Sequence, residues 1–304
     1  MSKIDHTPLI APPILCEAHG APLWLKCENM QQTNSFKARG AWNAVKKLRN
    51  PERGVITHSS GNHGQALAWA ARMHNIQAHI IVPENAPQVK VNAIRRHGGI
   101  IHICAPGIDA REETMNAIRK EGKQTFIPPY NHEDVIEGQR SCGEEIVRDQ
   151  PDLDFLLVPV GGGGLLSGCA LAVNEHTPNT KVYGCEPENA DDAKKSFDSG
   201  MLHHPGNPNT IADGLRTGLG DITFGYIQKY VTDVFTVSED EIRNAWAFAV
   251  HRLKLIIEPS CAVPLAVWKK HHHYFKGKPG AMVITGGNVD LAKLPSFDES
   301  LGFI

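Results

Sequence analysis

An α/β architecture of two domains with parallel-rich sheets is predicted by this sequence, and three observations carry the prediction. Short apolar runs alternate with longer segments of helical period along the chain. The length, 304 residues, suits two domains better than one. Four consecutive glycines, Gly161, Gly162, Gly163 and Gly164, directly follow the apolar run Phe155-Leu156-Leu157-Val158-Pro159-Val160. That run reads as a buried strand ending in bare backbone ahead of a helix that starts near Leu165. Such alternation argues for parallel sheets covered by helices on both faces. Ligands of such folds gather beyond the carboxyl ends of the strands.

In chain order, strand-like runs fall at 54–57, 79–82, 100–103, 155–160, 181–184 and 281–284. Helical period marks 36–48, 63–73, 89–97, 110–120, 134–148, 165–174 and 260–271. One further helix announces its start, because Ser238 and Glu241 form a capping box just before Ile242. No internal repeat or low-complexity linker interrupts the pattern.

Composition removes several classes of function. With 41% hydrophobic and 21% charged residues the chain has the make-up of an ordinary soluble protein. A net charge of -2 gives nucleic acid and membrane surfaces no electrostatic footing. No apolar stretch approaches bilayer length, and the first residues lack the apolar core of a signal peptide. Seven dispersed cysteines without a Cys-x-x-Cys pair favour reduced, buried thiols and a cytoplasmic location.

The tetraglycine is followed by no Lys-Ser or Lys-Thr, so it is not a nucleotide P-loop. It suits one phosphate held by backbone N–H groups at a helix N-terminus. Lys37 stands in Asn34-Ser35-Phe36-Lys37-Ala38-Arg39-Gly40, at the expected start of a helix. An apolar neighbour and a helix N-terminus both disfavour its ammonium, which fits an amine that forms a Schiff base. Alone it reads as a surface lysine; its weight comes from the other motifs. His58-Ser59-Ser60-Gly61-Asn62-His63-Gly64-Gln65 concentrates hydroxyls, an amide and an imidazole after a strand. This turn suits a carboxylate, and equally a helix capped by Ser60 or Asn62.

Ser-Phe-Lys-x-Arg-Gly, Ser-Ser-Gly-Asn-His-Gly-Gln, the tetraglycine and Thr285-Gly286-Gly287-Asn288-Val289-Asp290 occur in that order. Together they resemble the fold-type-II pyridoxal-phosphate family, in its serine racemase and serine/threonine dehydratase branch. The resemblance implies that the cofactor sits in a cleft between the two domains. Residues 54–131 would form a small mobile domain, and 1–53 with 132–304 a large one. Lys37 would carry pyridoxal 5'-phosphate as a Schiff base and act on one face of the substrate. Phe36 would pack near the ring and Asn62 would bond the ring hydroxyl. Gly161 to Gly164 and Leu165 would take the phosphate, while Thr285 and Glu258 would lie toward the pyridine nitrogen. A hydroxyl at that nitrogen leaves the carbanion less delocalised, which favours loss of a β-hydroxyl over transamination.

Ser60 carries the finer distinction. Simple dehydratases of the family usually have alanine there, whereas racemases and hydroxyaspartate dehydratases carry serine. A hydroxyl opposite Lys37 would serve the second face of Cα. Ser59, Ser60, Asn62, His63 and Arg111 would contact the substrate. Glu186, the carbonyl of Ala190, and Asp192 resemble the family's divalent-metal site, suited to Mg²⁺, Ca²⁺ or Mn²⁺. Read without the family, they form a solvated acidic turn. His271, His272 and His273 do not share a helix face and read as a solvated helix end.

The implied activity is elimination from, or racemisation of, a small β-hydroxy amino acid: serine first, then threonine, then 3-hydroxyaspartate. Asn34 replaces a common glycine, and Arg216 offers a second arginine for a β-carboxylate. The resemblance also implies a homodimer. The sequence ends soon after Asp290, so feedback through a C-terminal regulatory domain is not expected. A cysteine-synthase-type β-replacement enzyme and a non-enzymatic phosphate-binding module are the rival readings.

Overall fold

A computed structural model describes residues 3–296 and Phe303. The outermost residues of the expected large domain lie outside them. Ten strands are formed: β1 (Leu9–Ile10), β2 (Leu23–Cys27), β3 (Val55–Thr57), β4 (Ala78–Pro83), β5 (Ile100–Cys104), β6 (Thr125–Phe126), β7 (Phe155–Pro159), β8 (Lys181–Pro187), β9 (Asp233–Val237) and β10 (Gly280–Ile284). They sort into two sheets. The larger runs β1-β2-β10-β7-β8-β9 and is parallel except where β1 meets β2. The smaller runs β5-β4-β3-β6 and is parallel throughout. All four of its strands come from one continuous stretch of chain, residues 55–126.

Burial on both faces explains the unbroken apolar runs. Side chains alternate along a strand, so Phe155 and Leu157 face Trp246, Phe248 and Leu265 of the helices Glu239–His251 and Pro259–Lys270. Leu156 and Val158 face Ile146, Leu166 and Cys169 of the helices Glu133–Asp149 and Gly164–His176. Each such side chain, taken out of water, contributes about 1.5–3 kcal/mol. The smaller sheet repeats the plan. Val55 and Ile80 pack on Leu67 and Ala70 of the helix Asn62–Met73, and Ile56 and Ile81 pack on Met115 of the helix Ile108–Gly122. The helix Lys37–Lys46, which a division at residue 54 counts with the larger part, buries Ala41, Ala44 and Val45 in the core of the smaller sheet.

A buried ion network joins that helix to the larger sheet. Arg39, 1% exposed, donates from Nε to Glu28 at 2.7 Å and from Nη1 to Glu145 at 2.7 Å. Lys26 on β2 donates to the same Glu145 at 2.6 Å and to the Thr7 carbonyl at 2.8 Å. Two cations thus meet two carboxylates. Burial pushes the Glu145 carboxyl up, but its bonds to Arg39 and Lys26 outweigh that and hold it below its usual value. All seven cysteines are free thiols, six of them buried.

The triple histidine differs from its expectation. The helix Pro259–Lys270 stops before it and a short helix His272–Phe275 follows. His271 packs on the Phe235 ring at 4.5 Å and His272 sets its edge against Trp268 at 5.3 Å. Two of the three rings are therefore packing groups, because the helix break turns them toward an aromatic cluster. Among the described residues no helix is long and apolar enough to cross a membrane.

Candidate active site

One cavity of about 350 Å³ opens where the carboxyl ends of strands from both sheets face each other. Ser59, Ser60 and Asn62 reach it from the turn after β3, the four glycines from the turn after β7, and Thr285 from the end of β10.

Lys37 opens the helix Lys37–Lys46. Ser35 Oγ accepts its backbone N–H at 3.1 Å, and the Phe36 N–H donates to the Thr285 carbonyl at 3.1 Å. These bonds stitch the lysine turn to the turn after β10. The ammonium donates to the Pro129 carbonyl at 2.7 Å and lies 4.9 Å from the centre of the Phe36 ring. Burial pushes it down to about 8, so free amine is available near neutral pH. Asn34 has φ +53°, a left-handed region that asparagine tolerates better than most side chains.

Lining the same cavity, the helix Gly164–His176 begins with Gly163 as N-cap, in the left-handed region at φ +86° and without a side-chain cap. A Cβ on Gly163 would come within 2.9 Å of Leu219 and Thr223, and one on Gly162 would drive into the Tyr130 ring. The turn therefore offers first-turn N–H groups to the cavity and leaves no room for side chains around them. That is an anion seat.

The turn after β3 corrects the capping expectation. Neither Ser60 nor Asn62 caps the helix Asn62–Met73; Gly61 is the N-cap and no side chain satisfies the first N–H groups. Asn62 instead donates Nδ2 to the Glu258 carboxylate at 3.0 Å and accepts from Asn288 Nδ2 at 2.8 Å. Glu258 also accepts the Asn288 backbone N–H at 3.0 Å. Burial pushes the Glu258 carboxyl up, partly offset by the bond from Asn62. His63 donates Nε2–H to the Ile127 carbonyl at 2.9 Å, and its buried Nδ1 has no partner. Burial, reinforced by the Lys37 charge, pushes it down to about 3. This neutral ring offers only a lone pair, so His63 can meet a carboxylate through its backbone N–H and not through its side chain.

Thr285 Oγ1 lies 3.1 Å from Cys261 Sγ, which is wholly buried. Burial pushes that thiol up to about 12, leaving it a neutral hydrogen-bonding group. Arg111, on the helix Ile108–Gly122, lines the cavity with its Nε buried and unpartnered. Phe36, Leu165 and Glu258 also line it. Arg216 does not. Its Nε donates to the Thr210 carbonyl at 3.0 Å, while its neighbours Leu215 and Thr217 face the cavity.

Glu186, Ala190 and Asp192 lie away from the cavity lining and are buried rather than solvated. Glu186 accepts the N–H groups of Ala193 and Lys194 at 3.0 Å each, and Asp192 accepts that of Leu219 at 3.1 Å. Burial, then mutual repulsion, pushes Glu186 well up; burial raises Asp192 to about 6. Lys90, Asp213, Pro129, Tyr130, Thr217 and Ser260 also line the cavity and went unread as site residues in the sequence. Pro129 and Tyr130 follow β6, whose two residues are too short a run to stand out.

The family model described as pyridoxal-phosphate dependent enzyme matches residues 2–286. A β-hydroxyaspartate dehydratase from Paracoccus denitrificans is 42% identical, over 96% of this chain and 93% of that one. An L-threo-3-hydroxyaspartate ammonia-lyase from Saccharomyces cerevisiae is 40% identical over 95% and 90%. The crystal structure of serine racemase from Dictyostelium discoideum superposes with a TM-score of 0.90 at 41% identity, covering 95% of this chain and 94% of that one.

Proposed function

Because the chain belongs to the pyridoxal-phosphate-dependent enzyme family, we propose that it eliminates water from, and can racemise, a small β-hydroxy amino acid. Serine is the first substrate in this reading, threonine the second and 3-hydroxyaspartate the alternative. The observation that carries it is one cavity lined by both a desolvated lysine amine and an uncapped glycine turn. The residues present fit the cofactor. The Lys37 amine is free of any carboxylate partner among the described residues, and the first-turn N–H groups of Gly164–His176 suit its phosphate.

When bound, the cofactor draws electrons from the substrate Cα, so that this carbon releases its proton and the β-hydroxyl can depart. The Lys37 amine would accept or return the Cα proton on one face. The Pro129 carbonyl steers that amine. Ser60 holds a proton for the other face. The open N–H groups at the start of Asn62–Met73, with Ser59 and Arg111, orient the α-carboxylate. Thr285 would offer its hydroxyl, held 3.1 Å from Cys261 Sγ, toward the ring, which would favour departure of the β-hydroxyl.

The segment 54–131 would close over the cavity and exclude water. Glu186 and Asp192 would hold a divalent cation with the Ala190 carbonyl: two buried carboxylates with raised proton affinity fit a hard cation in place of protons. A homodimer follows from the resemblance alone, and sedimentation checks its size; a cytoplasmic location rests on the dispersed, free cysteines.

The test is a panel of serine, threonine and 3-hydroxyaspartate isomers, following keto acid, ammonia and enantiomer together. Ammonia release without an added thiol separates this reading from β-replacement; a colourless purified protein would favour a mere binding module. Ser60→Ala is expected to lose inversion while keeping elimination from the L-isomer. Equal loss of both would remove Ser60 from its role.

A further inference from the structure

The cavity is lined by more cations than a one-carboxylate substrate would meet, and by two carboxylates, Asp213 and Glu258. Besides Lys37 it is lined by two cations, Arg111 and Lys90, and the α-carboxylate is already provided for by Arg111 and the uncapped turn after β3. Lys90 sits in the first turn of the helix Gln88–Arg96 and pairs with Asp213 Oδ2 at 2.7 Å. Asp213 opens the short turn Asp213–Leu215, outside the stretch that builds the smaller sheet. Among the described residues this is the one salt bridge that ties residues 54–131 to the rest of the chain. Both side chains remain partly open to solvent, at 31% and 43%. Open pairs of this kind are worth about 0.2–1 kcal/mol, so another carboxylate can replace Asp213 at little cost.

We propose that Lys90 is a specificity-determining residue that binds the second carboxylate of a 3-hydroxyaspartate-type substrate, with Asp213 as the internal carboxylate it gives up. This rests on the elimination reading above. Serine has no second carboxylate to offer Lys90 and leaves the Asp213 pair intact. A dicarboxylate takes the ammonium and finds Asp213 as its competitor. Discrimination between the two substrates is then set by the exchange at Lys90 rather than at the reacting carbon.

The experiment compares kcat/KM for 3-hydroxyaspartate and for serine in the holoenzyme and in Lys90→Gln, Lys90→Arg and Asp213→Asn. The ratio of hydroxyaspartate to serine is expected to fall about ten- to a hundredfold in Lys90→Gln, mainly through KM, as for loss of a hydrogen bond to a charged group. It recovers in Lys90→Arg and rises in Asp213→Asn, which keeps the inference testable should the glutamine variant fail to fold. A ratio that moves less than about twofold in Lys90→Gln, the size of an ordinary surface substitution, overturns the inference. So does a fall in Asp213→Asn equal to that in Lys90→Gln, which would mean that the pair only holds the two sheets together. A wild-type enzyme that consumes serine but not hydroxyaspartate overturns the role of Lys90 and leaves the proposed function standing. One that consumes neither overturns both.

Discussion

Two buried sets of charges sit on either side of the helix Lys37–Lys46, and they are built on opposite principles. Below it, Arg39 and Lys26 face Glu28 and Glu145 in matched pairs, every long side chain bonded. At its tip, Lys37 is desolvated, and among the described residues a backbone carbonyl is its one hydrogen-bond acceptor. Glu186 and Asp192 belong with Lys37, two buried carboxylates that raise rather than cancel each other's cost. Burial by itself therefore says nothing about function. A matched set is spent on holding the fold, whereas an unmatched one keeps free energy in reserve for a ligand that completes it.

The sharpest way to break this contrast is to remove one member from each set. Lys37→Met is expected to reduce turnover to background and to abolish any pyridoxyl adduct at residue 37 after borohydride treatment, read by peptide mass. It should cost no stability in urea, since a lone buried charge is removed. Arg39→Met should do the reverse, destabilising the protein by about 3–5 kcal/mol because Glu28 loses its cation and Glu145 keeps only Lys26. Equal stability loss in the two variants would collapse the distinction.

Titration sharpens it further. With an amine pushed down to about 8, the apoprotein should capture pyridoxal phosphate faster as pH rises through about 8 and level off above. A midpoint near 10 would place Lys37 in water. The smallest effect belongs to the acidic pair. A carboxyl raised in the folded state contributes stability that is full below its unfolded value and lost as pH rises through the folded one. In chelator, Tm should therefore fall as pH climbs from about 4 to about 6, where Asp192 ionises. Added Mg²⁺ or Ca²⁺ should suppress that fall. A Tm indifferent to both would remove the cation from Glu186 and Asp192.

What could be read from the sequence follows from how local each signal is. Lys37, Ser60 and the glycines sit in short motifs whose neighbours in the chain are also their neighbours in space. The helices read by period begin and end within two residues of the structure, because an apolar stripe reports burial directly. β2 was missed because Lys26 interrupts its apolar run, and only Glu145, far along the chain, makes that lysine tolerable inside. Lys90 and Asp213 were invisible for the same reason. A lysine on a polar helix and an aspartate in a turn are ordinary residues until the fold sets them 2.7 Å apart. Asn62 lines the cavity, yet its bonds to Glu258 and Asn288 depend on three segments that no local pattern connects.

The position of β10 has a consequence for how the molecule comes into being. Gly280–Ile284 is the last strand among the described residues but lies between β2 and β7. During synthesis, β1 and β2 emerge early and wait without a neighbour on that side until residue 284 has left the ribosome. The stretch 55–126 carries all four of its strands contiguously and can condense first. Since Thr285, which follows β10, accepts the Phe36 N–H beside Lys37, the chain acquires its chemistry only in the final moments of assembly. A nascent fragment can begin to look like a protein long before it can hold vitamin B6.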